Sequence, residues 1–214
     1  MRIMPKKRRR KQQRVSKIME VSIKSRKRKL RHEALVKRRA MSRYEREKDS
    51  ITIYNRLIEN ELYKNAKCVF CYVSVEDEVH TDKILRQALT DGKELCVPYI
   101  VDTENAVMKA AQLKSIGQLT TGVFGIRTVK NSTFQEVLPE AIDLVIAPGI
   151  AFDRRGHRIG MGGGYYDIFL KKAERADKLA VAYDCQILDD FEVDKFDVAV
   201  DYILTTMEII KCTD

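Results

Sequence analysis

Apolar residues recur along this chain at two periods, one helical and one extended. Between Lys27 and Lys48 the chain is heavily charged, yet Leu30, Ala34 and Leu35 fall three and four apart with Arg38 on the same face. That spacing predicts a helix with one buried stripe. Ser42-Arg-Tyr-Glu45 has the form of a capping box, so a second helix opens there, carrying the stripe Ile51, Tyr54, Leu57, Ile58 and Leu62. Short apolar runs bounded by turn residues predict strands at 67–73, 94–100, 143–147, 178–184 and 201–205, with a shorter one around 106–113. Helical segments at 81–89, stopped by Asp91-Gly92, and from Tyr165 to Lys172 fall between them. Residues 117–129 are turn-rich and undecided, because Gly122 and Gly125 break any regular run. Strands alternating with helices argue an α/β fold, a largely parallel sheet flanked by helices. No internal repeat is visible.

Charge divides the chain. The net charge of +9 is not uniform: residues 1–31 hold 15 Lys/Arg against the single acid Glu20. The other 183 residues carry 25 bases and 30 acids, a mildly acidic body. We therefore expect a basic tail over 1–26, disordered by self-repulsion, and one α/β domain over 27–214. A nucleic-acid arm, a nuclear signal or an organelle transit peptide are functional readings of the tail, and nucleic-acid contact elsewhere is not expected. The five cysteines form no regular framework. Cys68 and Cys71 resemble half a zinc site, but on a strand residues three apart face opposite ways and cannot share a metal. Buried free thiols in a reducing, cytoplasmic setting are the expectation. No run approaches the ~18–20 apolar residues of a membrane span.

The chemistry concentrates in residues 148–167, Pro-Gly-Ile-Ala-Phe-Asp-Arg-Arg-Gly-His-Arg-Ile-Gly-Met-Gly-Gly-Gly-Tyr-Tyr-Asp. Gly160, Gly162, Gly163 and Gly164 follow the cation Arg158 and precede Tyr165-Tyr166-Asp167. Glycines in such a run can turn backbone N–H groups toward one anion, and a guanidinium suits phosphate. A strand leads in and a helix leads out, a common phosphate-binding context. Neither G-x-x-x-x-G-K-[ST] nor G-x-G-x-x-G is present, and about a dozen residues separate the strand from the glycines, so the usual nucleotide folds do not fit. Asp153, within Phe-Asp-Arg-Arg-Gly, reads as a turn residue.

Taken whole, P-G-x-A-F-D-x-x-G-x-R-[IL]-G-x-G-x-G-Y-Y-D resembles the signature of the 5-formyltetrahydrofolate cyclo-ligase, or 5,10-methenyltetrahydrofolate synthetase, family. The likeness covers roughly 27–205. It implies a sugar-isomerase/CoA-transferase-like (Rossmann-like) layered fold and an ATP- and Mg²⁺-dependent closure of 5-formyltetrahydrofolate to 5,10-methenyltetrahydrofolate, through a phosphorylated formyl (iminium phosphate) intermediate. By the same resemblance ATP is held by Lys27, Arg28, Lys29, Leu30 and Arg31 and by Arg158, Ile159, Gly160, Met161, Gly162, Gly163, Gly164, Tyr165 and Tyr166. Folate, with or without a polyglutamate tail, is held by Val73, Glu78 and Met161 to Tyr165. Asp167 and Asp201 associate with magnesium, and Arg158 and Asp167 are the catalytic pair. A monomer is implied. Two positions depart from the family pattern: Gly163 stands where lysine is frequent, and His80 where an acid is common. A nucleic-acid-binding protein and a sugar-phosphate isomerase are the rival readings, and dependence on ATP separates the last.

Overall fold

The apolar runs pair into one eight-stranded sheet in the structure, a computed structural model that describes the backbone of residues 6–212 and the side chains of residues 23–212. Its helices are α1 (Lys6–Ala40), α2 (Arg43–Glu59), α3 (Glu61–Asn65), α4 (Asp82–Thr90) and α5 (Tyr165–Leu170). Strands β1 (Cys68–Cys71), β2 (Glu94–Asp102), β3 (Val107–Gln112), β4 (Leu119–Thr121), β5 (Arg127–Val129) and β6 (Glu136–Val137) form the first part of the chain. They are followed by β7 (Leu144–Ala147), β8 (Ala151–Phe152), β9 (Arg158–Ile159), β10 (Asp177–Val181), β11 (Tyr202–Leu204) and β12 (Ile209–Lys211). The sheet order is β12-β11-β10-β7-β1-β2-β3-β6. From β11 to β2 all pairings are parallel, while β12, β3 and β6 add antiparallel edges. The expected α/β fold with a largely parallel sheet is what forms.

A parallel sheet must be covered on both faces, which is why its central strands are apolar throughout. On β1, Val69 and Cys71 enter one core with Ile53 and Leu57 of α2 and Ile84 and Leu85 of α4. Cys68 and Phe70 enter the other, where Phe70 stacks on Phe169 of α5 at 4.4 Å. The two thiols thus lie on opposite faces, as the strand period requires, and both are buried and free.

Helix α1 passes through residues 26 and 27 without a break, so the division drawn there on charge is not a division of the backbone. No glycine or proline occurs from Lys6 to Ala40, and Lys, Arg and Gln are good helix formers, so local propensity is compatible with an unbroken helix. Residues 1–5 of the expected tail lie outside the described residues. The undecided stretch 117–129 becomes the β4–β5 ribbon, Leu119 opposite Val129, with Phe124 at φ +57° in its loop. The capping box forms as read: Ser42 Oγ accepts from Glu45 N at 3.1 Å, and the Glu45 carboxylate accepts from Ser42 N at 2.7 Å.

Candidate active site

The site begins where the central strand β7 ends. After Pro148-Gly149 the chain folds into the β8–β9 hairpin, Phe152 opposite Arg158. Asp153 makes this turn: fully buried, it accepts from the backbone N–H of Arg155 and of His157 at 3.0 Å each and pairs with His157 Nδ1 at 2.8 Å. Its structural reading agrees with these contacts. Gly156 closes the turn at φ +86°.

The hairpin delivers Arg158 to the floor of the glycine loop. Its guanidinium is almost wholly buried, donates from Nη2 to Asp167 Oδ1 at 2.9 Å, and lies over the Tyr166 ring at 5.4 Å. Its Nε is buried with no partner among the described residues. A methyl group on Gly160 would stand 2.8 Å from Arg158 Nη1, so the absence of a side chain there admits the guanidinium. Gly162 and Gly164 take φ of +99° and +75°, backbone that side-chain-bearing residues rarely adopt. Met161, Gly162 and Gly163 are exposed, while Ile159 is core.

Helix α1 presents one face to this loop, and the helical period decides which of its cations arrive. Arg31 donates from Nε to Gly160 O at 2.7 Å. One turn earlier Lys27 pairs with Asp197, and Leu30 packs beside Ile150 and Ile159. Arg28 and Lys29 point elsewhere: both are exposed, and Lys29 reaches only Glu33 at 3.8 Å. Two turns beyond Arg31, Arg38 is buried, donating to Gly149 O at 3.2 Å and to Asp77 at 3.0 Å. Its burial follows from the stripe it shares with Leu30, Ala34 and Leu35, but nothing in a string of basic residues says which backbone carbonyl or carboxylate it meets.

Across the loop, Val73 is core and Glu78 sits in the turn after β1, accepting through Oε2 from Val75 N at 3.1 Å. Burial pushes the Glu78 carboxyl up, against the lowering by that N–H and by Arg38. Tyr165 turns its ring edge-on to Phe124, centroids 6.2 Å apart, and its hydroxyl is buried without a partner among the described residues. Phe124 is 68% exposed, a large aromatic held out beside the site. Only its bracketing by two glycines marked it in the sequence.

Among the described residues Asp167 and Asp201 have no hydrogen-bond partner in common. Asp201 accepts from Lys178 N at 2.8 Å and so ties the start of β11 to the start of β10. Asp167 uses one oxygen for Arg158 and for Val198 N at 3.3 Å, leaving Oδ2 without a hydrogen bond among the described residues. Also among the described residues, no three His, Cys, Asp or Glu side chains gather as a metal cluster. Magnesium typically takes one or two carboxylates plus substrate phosphates, so Asp167 fits such an ion and Asp201 has no observed link to it. Arg31, the unpartnered Arg158 Nε and the open glycine backbone fit a polyphosphate.

The arrangement has known relatives. The chain is 30% identical over 193 residues to 5-formyltetrahydrofolate cyclo-ligase of Mus musculus, covering 86% of this chain and 95% of that one. It is 26% identical over 147 residues to the enzyme of that name from Escherichia coli K12, covering 67% and 80%. The solution structure of Aquifex aeolicus 5,10-methenyltetrahydrofolate synthetase superposes with a TM-score of 0.78 at 31% identity, covering 88% of this chain and 93% of that one. The profile of the 5-formyltetrahydrofolate cyclo-ligase family matches residues 23–206. This span takes in the glycine loop, the Arg31 face of α1 and the Glu78 turn, and the chain belongs to the 5-formyltetrahydrofolate cyclo-ligase family.

Proposed function

We propose that this enzyme closes 5-formyltetrahydrofolate to 5,10-methenyltetrahydrofolate, using ATP as phosphoryl donor and Mg²⁺. Family membership supports the folate conversion. The observation that carries the ATP-dependent part is Arg158, a buried cation with an unpartnered N–H beside an open glycine loop.

The chemical difficulty is the formyl oxygen on N5, which cannot leave as oxide. In the proposed reaction this oxygen attacks the γ-phosphorus and ADP departs. N10 then attacks the formyl carbon, the carbon–oxygen bond breaks with its electron pair to phosphate, and the N10 proton passes to solvent. One ADP and one phosphate form per ring closed. Phosphoryl transfer of this kind needs positioning and charge neutralisation rather than a protein nucleophile.

Arg158 faces the transferring group, where a fixed cation in a water-poor site stabilises developing charge. Arg31 and the backbone of Gly160–Gly164 hold the phosphates, with Lys27 one helical turn away. Asp167 holds Arg158 in place and offers Oδ2 to Mg²⁺, which when bound would neutralise charge on the nucleotide. Asp201 accepts from Lys178 N and steadies the sheet where β10 and β11 begin. Glu78 Oε1, free of hydrogen bonds among the described residues, is an acceptor for a folate N–H. Phe124 and Tyr165 wall the same side for an aromatic ligand. Among the described residues no helix is long and apolar enough to cross a membrane. The five free cysteines support placing the reaction in a reducing compartment, the cytoplasm.

Nucleotide consumption tests the reading. ADP is expected to form one for one with methenyl product, and only when 5-formyltetrahydrofolate, ATP and magnesium are all present. Arg31→Ala should raise the KM for ATP about ten- to a hundredfold, the worth of a lost charge-assisted contact, whereas Lys29→Ala should leave it near wild type. Methenyl product without ADP, or equal effects of the two substitutions, would overturn it.

A further inference from the structure

Tyr183 follows strand β10 and is fully buried, but its hydroxyl is not idle. It donates to Glu78 O at 2.9 Å and meets Ser50 Oγ of α2 at 3.1 Å. Ser50, also buried, accepts in turn from His80 N at 3.0 Å. One proton assignment satisfies every member: His80 N–H to Ser50 Oγ, Ser50 O–H to Tyr183 Oη, Tyr183 O–H to Glu78 O. The chain of bonds starts and ends on the same short segment, holding the backbone on both sides of Val79. Between these two points, Val79 O accepts from Tyr72 Oη at 2.7 Å. Ser74 and Thr81 close the base of the turn reciprocally, at 3.0 and 3.1 Å.

This is more constraint than an exposed strand-to-helix turn needs. The segment is 74–81, its apolar anchor Val79 is already core, and its remaining distinctive residue is Glu78. Buried hydrogen-bond chains of this kind fix one geometry, and they do so cooperatively. Burial pushes the Tyr183 phenol up to about 12, so its proton is present for donation throughout the neutral range.

We propose that Tyr183, acting through Ser50, is a positioning residue for the folate: it fixes the peptide units flanking Val79 so that the Glu78 carboxyl is presented to the substrate. The proposal rests on the reading of Glu78 as a folate contact. Among the described residues the hydrogen bonds of Tyr183 go to Ser50, Glu78, Arg46 and Gln186, none of them in the glycine loop or at Lys27 and Arg31, so its influence is expected on one substrate and not the other.

The test uses Tyr183→Phe, Glu78→Gln and the double variant, each as the full chain, with KM for 5-formyltetrahydrofolate, KM for ATP and kcat measured separately. Tyr183→Phe keeps the ring and removes only the hydroxyl. It is expected to raise the folate KM roughly five- to thirtyfold, the effect of leaving a buried carbonyl unpaired, with ATP KM within about twofold of wild type. In the double variant the folate KM should not exceed that of Glu78→Gln, because both losses act at one contact. Should Tyr183→Phe not fold, Ser50→Ala removes the middle link and carries the same expectations. If Glu78→Gln leaves the folate KM unchanged, the folate reading of Glu78 is wrong and the proposal goes with it. If Glu78→Gln raises it but the hydroxyl variants do not, or raise both KM values alike, or multiply the Glu78→Gln effect, Tyr183 merely supports the fold.

Discussion

Arg158→Met is expected to lower kcat roughly 10²–10³-fold, the usual cost of removing one preorganised donor from developing charge in a closed site. Methionine fills much of the guanidinium's volume, so the loss reads out charge and hydrogen bonding rather than a cavity. The two partners of the pair are not equivalent in their surroundings: the Arg158 side chain is 4% exposed and that of Asp167 24%. Removing arginine leaves a carboxylate that reaches water, and the fold should weaken by only about 1–2 kcal/mol, less than the ~3–5 kcal/mol typical of stranding a buried charge. Asp167→Asn does the opposite, stranding the buried cation, and should lower the melting temperature more while also raising the magnesium requirement. Measuring kcat and melting temperature on both variants decides the roles. A normal kcat in Arg158→Met, with a lowered melting point, would make the pair a structural ion pair and nothing else.

The largest effect on folding is expected from Gly156→Ala. Gly156 holds φ +86°, and a Cβ there would lie 2.1 Å from Val200 O and 2.9 Å from Cys212 Cβ. The first obstacle is backbone, and it cannot rotate away. Gly156 O also accepts from Val200 N at 2.9 Å, so the two chains are held at this approach from both sides. Forcing them apart displaces the hairpin that carries Arg158. A loss of about 4 kcal/mol or more is expected, against a total of ~5–15 kcal/mol for ordinary domains. Gly92→Ala is the control, because Gly92 has a similar φ of +71° with nothing within 4 Å of the added methyl. That variant should lose only the ~1–2 kcal/mol of left-handed strain. Denaturant midpoints of the two variants give the comparison, and equal midpoints would show that the close approach to Val200 is not rigid.

Much of this arrangement was legible because it is written locally. A capping box needs only two residues at the right spacing, and β1 and β7 announce themselves as apolar runs because both faces of a parallel strand are covered. The glycine loop was legible for the same reason, with its cation and tyrosines adjacent in the chain. What was lost is long-range. Strands β8 and β9 have two residues each, too few to show a period. The string Lys27 to Arg31 does not say which side chains face the loop until the helix phase is set by Leu30 and Ala34 packing inward, which turns Arg28 and Lys29 away. Asp201 accepts from Lys178 N, a contact between two strand starts that no local pattern shows. Tyr183 read as one more apolar strand position, since its hydroxyl partners come from residues more than a hundred positions away.

The central claim is that the formyl oxygen leaves as phosphate. Labelling that oxygen with heavy isotope in 5-formyltetrahydrofolate, and analysing the phosphate released during ATP- and magnesium-dependent turnover by mass spectrometry, follows the atom itself. The account predicts one labelled oxygen in each phosphate formed, matched to each methenyl product. Label found in water, with unlabelled phosphate, would contradict it.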